Sequence, residues 1–328
     1  KKVEDLLSRG VSEVIEKNAL RKELLSGKKL RVKLGIDPTS PNLHIGRGVV
    51  LWKLKAFQDL GHQIVLIVGD CTGIIGDTSD KESERPMLSK KEVESNMKEY
   101  FAQASKILDM SKVEKKYNSV WLQKLGYEEI GNQADAFGLS DFIDRENVRK
   151  RLDLGKRVSL RELLYPLMQG YDSVEVRADV ELGGTDQRFN MLSGRVLQER
   201  YKQKPQNILM TRLLTGIDGR KMSSSWGNTI NLTDSPEEMF GKTMRLEDTL
   251  VFEYFELATQ LTLEDIEKIK TEIKSGTVHP KDAKVRLAFT LVSLYHGLEK
   301  AQKAERNFNE TFSKGKAPED TPEIKLPK

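Results

Sequence analysis

The first clear pattern along the chain is an alternation of apolar and polar residues from Leu30 to Ile36. This period of two predicts a strand, because successive side chains of a strand point to opposite faces of its sheet. Apolar residues at helical spacing follow over 49–60, and Gly61 ends that helix. Residues 62–69 are then predicted to form a buried parallel strand, because their apolar run, Ile64 to Val68, has no polar alternation. Together these segments predict a strand–helix–strand unit.

The pattern continues with alternating strands and helices. Three further strands are predicted, at 119–122, 173–181 and 207–213. Helical patterns separate them, one of them over 187–203. Ser89 and Ser159 are each followed three residues later by glutamate, the spacing of a capping box at a helix start. The alternation predicts an α/β fold with a Rossmann-like, doubly wound and mostly parallel sheet.

The C-terminal third has a different pattern. Ser235 and Pro236 are typical of a helix N-cap and first helical position, and helical patterns follow without strand signals. At 328 residues the chain is long enough for two cores, so a smaller all-α domain is expected after the sheet domain. The predicted organisation is a catalytic domain, a loop linker, a helical domain and an exposed tail, over residues 1–216, 217–234, 235–312 and 313–328.

The composition narrows the function classes. With 38% hydrophobic and 32% charged residues, the chain is typical of a globular protein rather than a disordered one. Its single cysteine, Cys71, excludes an intrachain disulfide and a thiol metal cluster, so we expect a cytoplasmic location. No apolar run is long enough to cross a membrane. The net charge of +4 is compatible with a polyanionic partner but does not establish one.

Two loops carry candidate phosphate chemistry. The first, residues 37–48, contains His44 and Gly46 before a helix whose free N–H groups favour an anion. Alone, the His-Ile-Gly tripeptide is better explained by close packing of helix on strand. The second loop begins at Lys221 after a strand, where a flexible basic segment can close over a triphosphate, although alone it is only a charged loop.

Taken together, His44-Ile45-Gly46-Arg47 and Lys221-Met222-Ser223 resemble the two signature sequences of class I aminoacyl-tRNA synthetases. With the glycine-rich segment 69–86 and the segments 165–172 and 183–187, the whole chain resembles the bacterial tyrosyl-tRNA synthetases. The resemblance implies an ATP-dependent ligase that converts tyrosine to tyrosyl-adenylate and pyrophosphate. It also implies a second step, in which the tyrosine is transferred to tRNA(Tyr).

The resemblance also implies roles in nucleotide binding. Thr39 and His44 would bind the polyphosphate, while Lys81, Arg85 and Lys221 would close over pyrophosphate. Without the resemblance, Lys81 and Arg85 are only a solvated charge run. The implied ATP contacts are Gly35, Asp37, Thr39, His44, Gly46, Arg47, Gly184, Asp186, Lys221, Met222 and Ser223. Mg²⁺ would accompany the nucleotide, and no dedicated protein metal site is expected.

The amino acid is indicated by one helix. Tyr165, Gln169 and Asp172 are spaced i, i+4 and i+7 and so project from one face, although Tyr165 alone is equally typical of a half-buried core aromatic. Pro166 is expected to kink or interrupt this helix. The resemblance implies that Asp172 accepts the phenol proton. The full set that it implies for tyrosine is Asp77, Asn118, Tyr165, Gln169, Asp172 and Gln187.

Three residues depart from the family pattern. Lys33 stands where many tyrosyl enzymes have a tyrosine that touches the substrate hydroxyl, Arg47 replaces the second histidine, and Ser224 replaces a lysine. Lys33 lacks the hydroxyl that makes the second phenol contact in those enzymes, and the loss of a cation at Ser224 places more of the pyrophosphate charge on the remaining basic residues.

Two alternatives remain open from the sequence. One is a tryptophanyl-tRNA synthetase, which shares the architecture, and the other is a non-catalytic RNA-binding relative. The resemblance further implies a homodimer formed through an insert within about 120–165, and contact of the helical domain with the tRNA anticodon stem. The tail resembles a linker before a small C-terminal RNA-binding domain, so a truncated chain is expected.

Overall fold

A computed structural model describes residues 1–78 and 87–314. The chain divides into two compact units. The first comprises Lys1–Leu43 and Val49–Leu213, and the second comprises His44–Gly48 and the chain from Leu214 onward.

The first unit is built on one six-stranded sheet. Its strands are β1 (Val11–Ile15), β2 (Arg31–Ile36), β3 (Gln63–Val68), β4 (Val113–Tyr117), β5 (Val180–Gly184) and β6 (Asn207–Thr211). Their order is β1-β6-β5-β2-β3-β4, and every pairing is parallel except that of β1 with β6. The central strands β3, β5 and β6 are buried along nearly their whole length, because helices cover both faces of a parallel sheet. The predicted Rossmann-like, mostly parallel sheet is confirmed.

Helices connect the strands and form the C-terminal part. Up to β6 they are α1 (Lys2–Leu6), α2 (Lys17–Leu25), α3 (Ile45–Asp59), α4 (Thr72–Ile75), α5 (Lys90–Met97), α6 (Tyr100–Ala104), α7 (Ser119–Leu122), α8 (Tyr127–Ala134), α9 (Leu139–Ile143), α10 (Glu146–Asp153), α11 (Leu160–Glu175) and α12 (Arg188–Arg200). After β6 they are α13 (Pro236–Met244), α14 (Val251–Ala258), α15 (Leu263–Lys274), α16 (Pro280–His296) and α17 (Leu298–Lys314). Gly297, at φ +91°, separates the last two helices.

The predicted helix starts are confirmed by their caps. Ser89, Ser159 and Ser235 each take part in a reciprocal capping box with the glutamate three residues on. Each box satisfies backbone N–H groups that have no partner within the helix. The polar spacing of the sequence was therefore sufficient to place these three ends.

Two predicted strands are wrong. Residues 119–122 form helix α7, and the strand at this edge is the preceding β4, whose Val-Glu-Lys-Lys-Tyr sequence has little apolar signal. The strand predicted over 173–181 is instead the end of α11 followed by β5 from Val180. Residues 119–122 are too few to distinguish a strand from a short helix. Residues 173–181 alternate polar and apolar side chains as a strand does, but their first part continues the buried helix α11, so the tertiary fold overrides the local pattern. The sequence also gave no indication of β1, an antiparallel edge strand.

Helix α11 is continuous through Pro166, so the expected interruption does not occur. It is held by close packing on α12: a Cβ added at Gly170 would lie 3.1 Å from the Gly194 backbone nitrogen. This burial compensates for the hydrogen bond that a proline removes from a helix. The continuity matters because α11 carries Tyr165, Gln169 and Asp172. None of the described helices is long and apolar enough to cross a membrane.

Candidate active site

The chain reverses its direction of winding where β2 lies beside β5. Strands β3 and β4 follow β2 on one side of the sheet, whereas β5 and β6 extend on the other. Ligands of open α/β sheets bind in the crevice at the carboxyl ends of the strands beside such a point. Asp37 directly follows β2, and Asp186 and Gln187 follow β5. The topology therefore brings three predicted site residues to one edge of the sheet.

Asp37 and Tyr165 form the first contact at this edge. The Tyr165 hydroxyl donates to Asp37 Oδ2 at 2.8 Å, and the Thr72 hydroxyl donates to Asp37 Oδ1 at 2.7 Å. Tyr165 is buried, and burial, followed by the charges of Asp37 and Asp77, raises its pKa well above its usual value. The Tyr165 hydroxyl therefore stays protonated. Because it donates its proton to Asp37, its oxygen can still accept a hydrogen bond from a ligand. The sequence did not indicate Thr72.

A network of side-chain hydrogen bonds fixes the position of the Asp172 carboxylate. The Trp121 indole N–H donates to Asp172 Oδ1 at 2.8 Å, and the Asn118 amide donates to Oδ2 at 3.2 Å and to the Thr72 hydroxyl at 2.9 Å. Asp172 is 3% exposed. Burial raises its pKa to about 7, against the opposing effects of Lys33 and these two donors. Trp121 was not predicted as a site residue, because its short apolar segment was interpreted as a strand.

Lys33 does not take the place of the missing tyrosine. Its ammonium group lies 2.8 Å from the Gln169 carbonyl, 2.7 Å from the Ser173 hydroxyl and 2.9 Å from Glu181 Oε1. An ammonium group has three N–H donors, and three acceptors surround this one. Lys33 is therefore committed to neighbouring protein groups rather than to a substrate phenol.

Asp77 is held by two amides. Gln187 Nε2 donates to Asp77 Oδ2 at 2.6 Å, and Asn190 Nδ2 lies 3.5 Å from Oδ1 and donates to Gln187 Oε1 at 3.1 Å. The structure thus brings Asp77 and Gln187 together, as their shared assignment to the tyrosine site requires. Asn190 is buried and was not predicted from the sequence.

The segment before the first signature is anchored by three side chains that the sequence did not indicate. Asn96 donates to the Pro38 carbonyl at 3.0 Å, and Tyr100 donates to the Ser40 carbonyl at 2.5 Å. Gln103 holds this segment twice, accepting from the Leu43 amide at 2.7 Å and donating to the Pro41 carbonyl at 2.8 Å. Thr39 lies within this anchored segment, so its position is fixed by the backbone around it.

The first signature itself lies in the second unit. His44 pairs with Asn231 in an isolated bridge, and the Ile45 amide donates to the Ile230 carbonyl at 2.8 Å. The pKa of His44 is lowered to about 3, first by burial and then by the positive charges of Arg47 and Lys221. The imidazole is therefore neutral. Its Nδ1 is buried and has no hydrogen-bond partner among the described residues.

Gly46 is required by its surroundings. A Cβ at this position would lie 2.9 Å from His44 Nδ1 and 3.2 Å from Met222 Sδ. The second signature is thus next to the first within this unit. Arg47 is exposed and Met222 is buried.

Asn228 organises the loop that carries Lys221. Its amide accepts from the Ser223 N–H at 2.8 Å and donates to the Lys221 carbonyl at 3.1 Å and to Asp218 Oδ1 at 2.7 Å. Donation from Asn228, and then from Arg220, lowers the pKa of Asp218 to about 2. Asn228 is 3% exposed and was not predicted as part of the site. It shapes the loop whose cation was predicted to bind phosphate.

The other residues predicted to bind the nucleotide differ in burial and in how closely they are packed. Gly35 is exposed and a Cβ there would touch nothing within 4 Å, whereas a Cβ at Gly184 would lie 2.6 Å from Asp186 Oδ1. Close packing alone therefore explains Gly184 but not Gly35. Lys81 and Arg85 lie outside the described residues. In the part of the chain that is described, no group of three or more His, Cys, Asp or Glu side chains is arranged to hold a metal ion.

Comparison with known families explains this arrangement. Residues 25–313 match the family model of class I tRNA synthetases specific for tryptophan and tyrosine, described as "tRNA synthetases class I (W and Y)". The chain therefore belongs to the class I aminoacyl-tRNA synthetases.

Individual relatives narrow the family further. The chain is 45% identical to a tyrosine–tRNA ligase of Carboxydothermus hydrogenoformans, over 98% of this chain and 80% of that protein. It is also 45% identical to a tyrosine–tRNA ligase of Bordetella avium, over 97% of this chain and 79% of that protein. Within the class, the family is that of the tyrosine–tRNA ligases. The prediction of an ATP-dependent synthetase of the tyrosyl type is confirmed.

Solved structures show the same fold. A C-terminally truncated mitochondrial tyrosyl-tRNA synthetase of Aspergillus nidulans aligns with a TM-score of 0.77 at 22% identity, over 95% of this chain and 94% of that one. The tyrosyl-tRNA synthetase of Archaeoglobus fulgidus, solved with L-tyrosine, aligns with a TM-score of 0.73 at 24% identity, over 93% and 98%. At this level of identity the likeness concerns the fold alone.

Proposed function

We propose that the chain activates L-tyrosine with ATP and transfers it to tRNA(Tyr), and that Asp172 selects the amino acid. The observation that carries the proposal is the buried Asp172 carboxylate, held on both oxygens by Trp121 and Asn118. Each carboxylate oxygen can accept more than one hydrogen bond, so a carboxylate fixed in this way has acceptor sites left for a ligand, and a phenol supplies a donor. Leaving a buried acceptor without that donor costs about 1–3 kcal/mol or more, so phenylalanine is disfavoured.

The α-ammonium group of tyrosine binds to acceptors on the same side of the sheet. The Tyr165 oxygen, the Gln169 amide oxygen and the Asp77 carboxylate provide them, and the negative charges of Asp37 and Asp77 act near Tyr165. Gln187 lies beside Asp77 and contacts the tyrosine carboxylate. An ammonium group can only donate hydrogen bonds, which is why acceptors are needed here.

The polyphosphate of ATP is bound through Thr39, His44 and Lys221. Attack of the tyrosine carboxylate on the α-phosphorus displaces pyrophosphate, and the protein contributes positioning and stabilisation of charge on the phosphate oxygens. His44 is suited to this as a neutral imidazole that donates a hydrogen bond without adding or losing a proton. Lys81 and Arg85, together with Mg²⁺ brought by the nucleotide, complete the neutralisation. Gly35, Gly46, Arg47, Gly184, Asp186, Met222 and Ser223 make up the rest of the nucleotide set.

The helical region 235–312 contacts the tRNA. Helices α15, α16 and α17 carry exposed basic side chains, interspersed with exposed carboxylates, and the basic ones can release counterions from a phosphate backbone on binding. They are Lys268, Lys274, Lys281, Lys300, Lys303 and Arg306. The single cysteine supports a cytoplasmic location.

A second copy of the chain covers the segment within about 120–165. This segment exposes several large apolar side chains, which favours a protein interface. They are Val120, Tyr127, Leu139, Leu152, Leu154, Leu160 and Leu164.

Equilibrium binding of free amino acids tests the proposal. We expect tyrosine to bind at least about tenfold more tightly than phenylalanine or tryptophan, from the unpaired-acceptor cost. Asp172→Ala should remove most of this preference while the thermal unfolding curve keeps its shape. Equal affinity for tyrosine and phenylalanine in the unmodified protein would reject Asp172 as the selecting residue.

A further inference from the structure

Lys33 and Glu181 form a buried ion pair beneath the tyrosine site. They are register partners on the neighbouring strands β2 and β5, their side chains are 0% and 1% exposed, and Lys33 Nζ lies 2.9 Å from Glu181 Oε1. A fully buried ion pair is seldom a net source of stability, because both charges lose their hydration. Its retention in this position therefore calls for another explanation.

The Glu181 carboxylate is surrounded by donors. Besides Lys33, it accepts from Gln169 Nε2 at 3.1 Å, from the Ser173 hydroxyl at 3.2 Å and from the Gln206 amide. A carboxylate can only accept hydrogen bonds. The Gln169 side chain must therefore turn its NH₂ group toward Glu181, a choice that the chemistry of the partner determines.

This orientation has a consequence for the ligand. With its NH₂ group held by Glu181, the Gln169 amide directs its oxygen away from the ion pair. An ammonium group needs such an oxygen, and the opposite orientation would place N–H against N–H. Lys33 supports the arrangement in two ways: it compensates the Glu181 charge, and it binds the Gln169 carbonyl at 2.8 Å, which fixes the backbone from which the side chain extends.

We propose that Glu181, compensated by Lys33, is a positioning residue that orients the Gln169 amide oxygen toward the α-ammonium group of tyrosine. The inference rests on the proposed function, because it assumes that Gln169 contacts this group. It also gives Lys33 a function that differs from the phenol contact of the tyrosine found at this position in many relatives.

The test compares two ligands that differ at one group. Tyrosine carries the ammonium, whereas 3-(4-hydroxyphenyl)lactate carries a hydroxyl in its place and keeps the phenol and the carboxylate. A hydroxyl both donates and accepts, so it pairs with the Gln169 amide in either orientation. Dissociation constants for both ligands are measured by calorimetry on the whole chain.

The variant is the double substitution Lys33→Met with Glu181→Leu. Removing both charges avoids leaving one of them buried and unpaired, which a single substitution would do and which risks unfolding. We expect tyrosine affinity to fall about tenfold to a hundredfold more than affinity for the lactate, the loss of a hydrogen bond to a charged group. Any change that the two substitutions cause in the Asp172 carboxylate acts on the phenol, which both ligands share, and so affects both alike. An equal loss for both ligands, or no loss for tyrosine, would overturn the proposal.

Ser173→Ala is the matched control. Its hydroxyl contacts Lys33 and Glu181 but not the Gln169 side chain, so it perturbs the same network without releasing the amide. We expect it to change both affinities by the same factor. If it shifts the ratio as the double variant does, Glu181 is not the cause and the proposal is rejected. If instead the unmodified protein shows no preference for tyrosine over phenylalanine, the proposed function itself fails.

Discussion

Trp121 donates its indole N–H to Asp172 Oδ1 at 2.8 Å, and this contact joins helix α7 to helix α11. Trp121 also packs against the core formed by Val65, Ile67, Val176 and Ala178. The carboxylate is thus fixed by a side chain that is itself fixed by packing. Such support is what keeps a specificity residue at a constant position.

The pH dependence of tyrosine binding should report Asp172. Burial raises its pKa to about 7, and the ionised form is the better acceptor for a phenol. Affinity should therefore rise with pH, by about tenfold from pH 6 to pH 8 for one group titrating near 7. Calorimetric titration of tyrosine across this range measures the effect. Affinity that is constant, or that falls with rising pH, would contradict this role of the carboxylate.

Replacing the indole should move this midpoint. Trp121→Phe keeps an aromatic ring in the core but removes the donor that lowers the Asp172 pKa, so the midpoint of tyrosine binding should shift upward. At pH 7 we expect a loss of about tenfold in affinity, from one hydrogen bond to a charged group. Trp52→Phe, the same substitution in helix α3, should leave the midpoint unchanged. A Trp121→Phe midpoint equal to that of the unmodified protein would exclude the contribution of this bond.

Substitution of Gly35 tests whether ATP lies against the backbone of strand β2. A Cβ at this exposed position meets nothing within 4 Å, so Gly35→Ala should fold normally. If the nucleotide lies against this backbone, the added methyl should raise the KM for ATP about tenfold, with tyrosine affinity unchanged. Gly131→Ala in helix α8, where a Cβ also meets nothing within 4 Å, is the control. Equal ATP kinetics in both variants would remove Gly35 from the site.

The buried ion pair between helices α10 and α11 should contribute strongly to the free energy of unfolding. Arg151 and Glu162 are 1% and 2% exposed and share two hydrogen bonds, at 2.6 and 3.0 Å. Arg151→Met leaves the carboxylate buried without its partner and should lower the free energy of unfolding by about 3–5 kcal/mol in urea titrations. Arg149→Met, two residues earlier in α10, removes only an exposed pair with Asp144 and should cost less than about 1 kcal/mol. Similar losses in the two variants would show that burial does not decide the effect.

The sequence predicted the parts of the molecule that depend on local rules. Capping boxes at Ser89, Ser159 and Ser235 and the alternation over β2 depend only on neighbouring residues, and each is confirmed. The polar edge strand β4 was missed because its pairing with β3 is set by the tertiary fold rather than by its own residues. The helix spacing of Tyr165, Gln169 and Asp172 was visible for the same local reason.

The supporting side chains could not be predicted in the same way. Asn118 and Trp121 lie about 50 positions from Asp172 in the sequence, and Glu181 meets Lys33 only through the register of two strands distant along the chain. Nothing in the spacing of residues encodes such contacts. Two other signals were available: the family resemblance, which implied Asn118, and the presence of a polar residue inside an apolar strand, as Lys33 and Glu181 both are.

The most direct test is amino-acid-dependent exchange of pyrophosphate into ATP. The assay is run with tyrosine, with tryptophan and without an amino acid, on the unmodified chain and on Asp172→Ala. We expect exchange with tyrosine only, reduced at least about tenfold by the substitution. Exchange that prefers tryptophan would indicate a tryptophanyl-tRNA synthetase. No exchange with either amino acid would indicate a non-catalytic relative. Either result would contradict tyrosine activation by this chain.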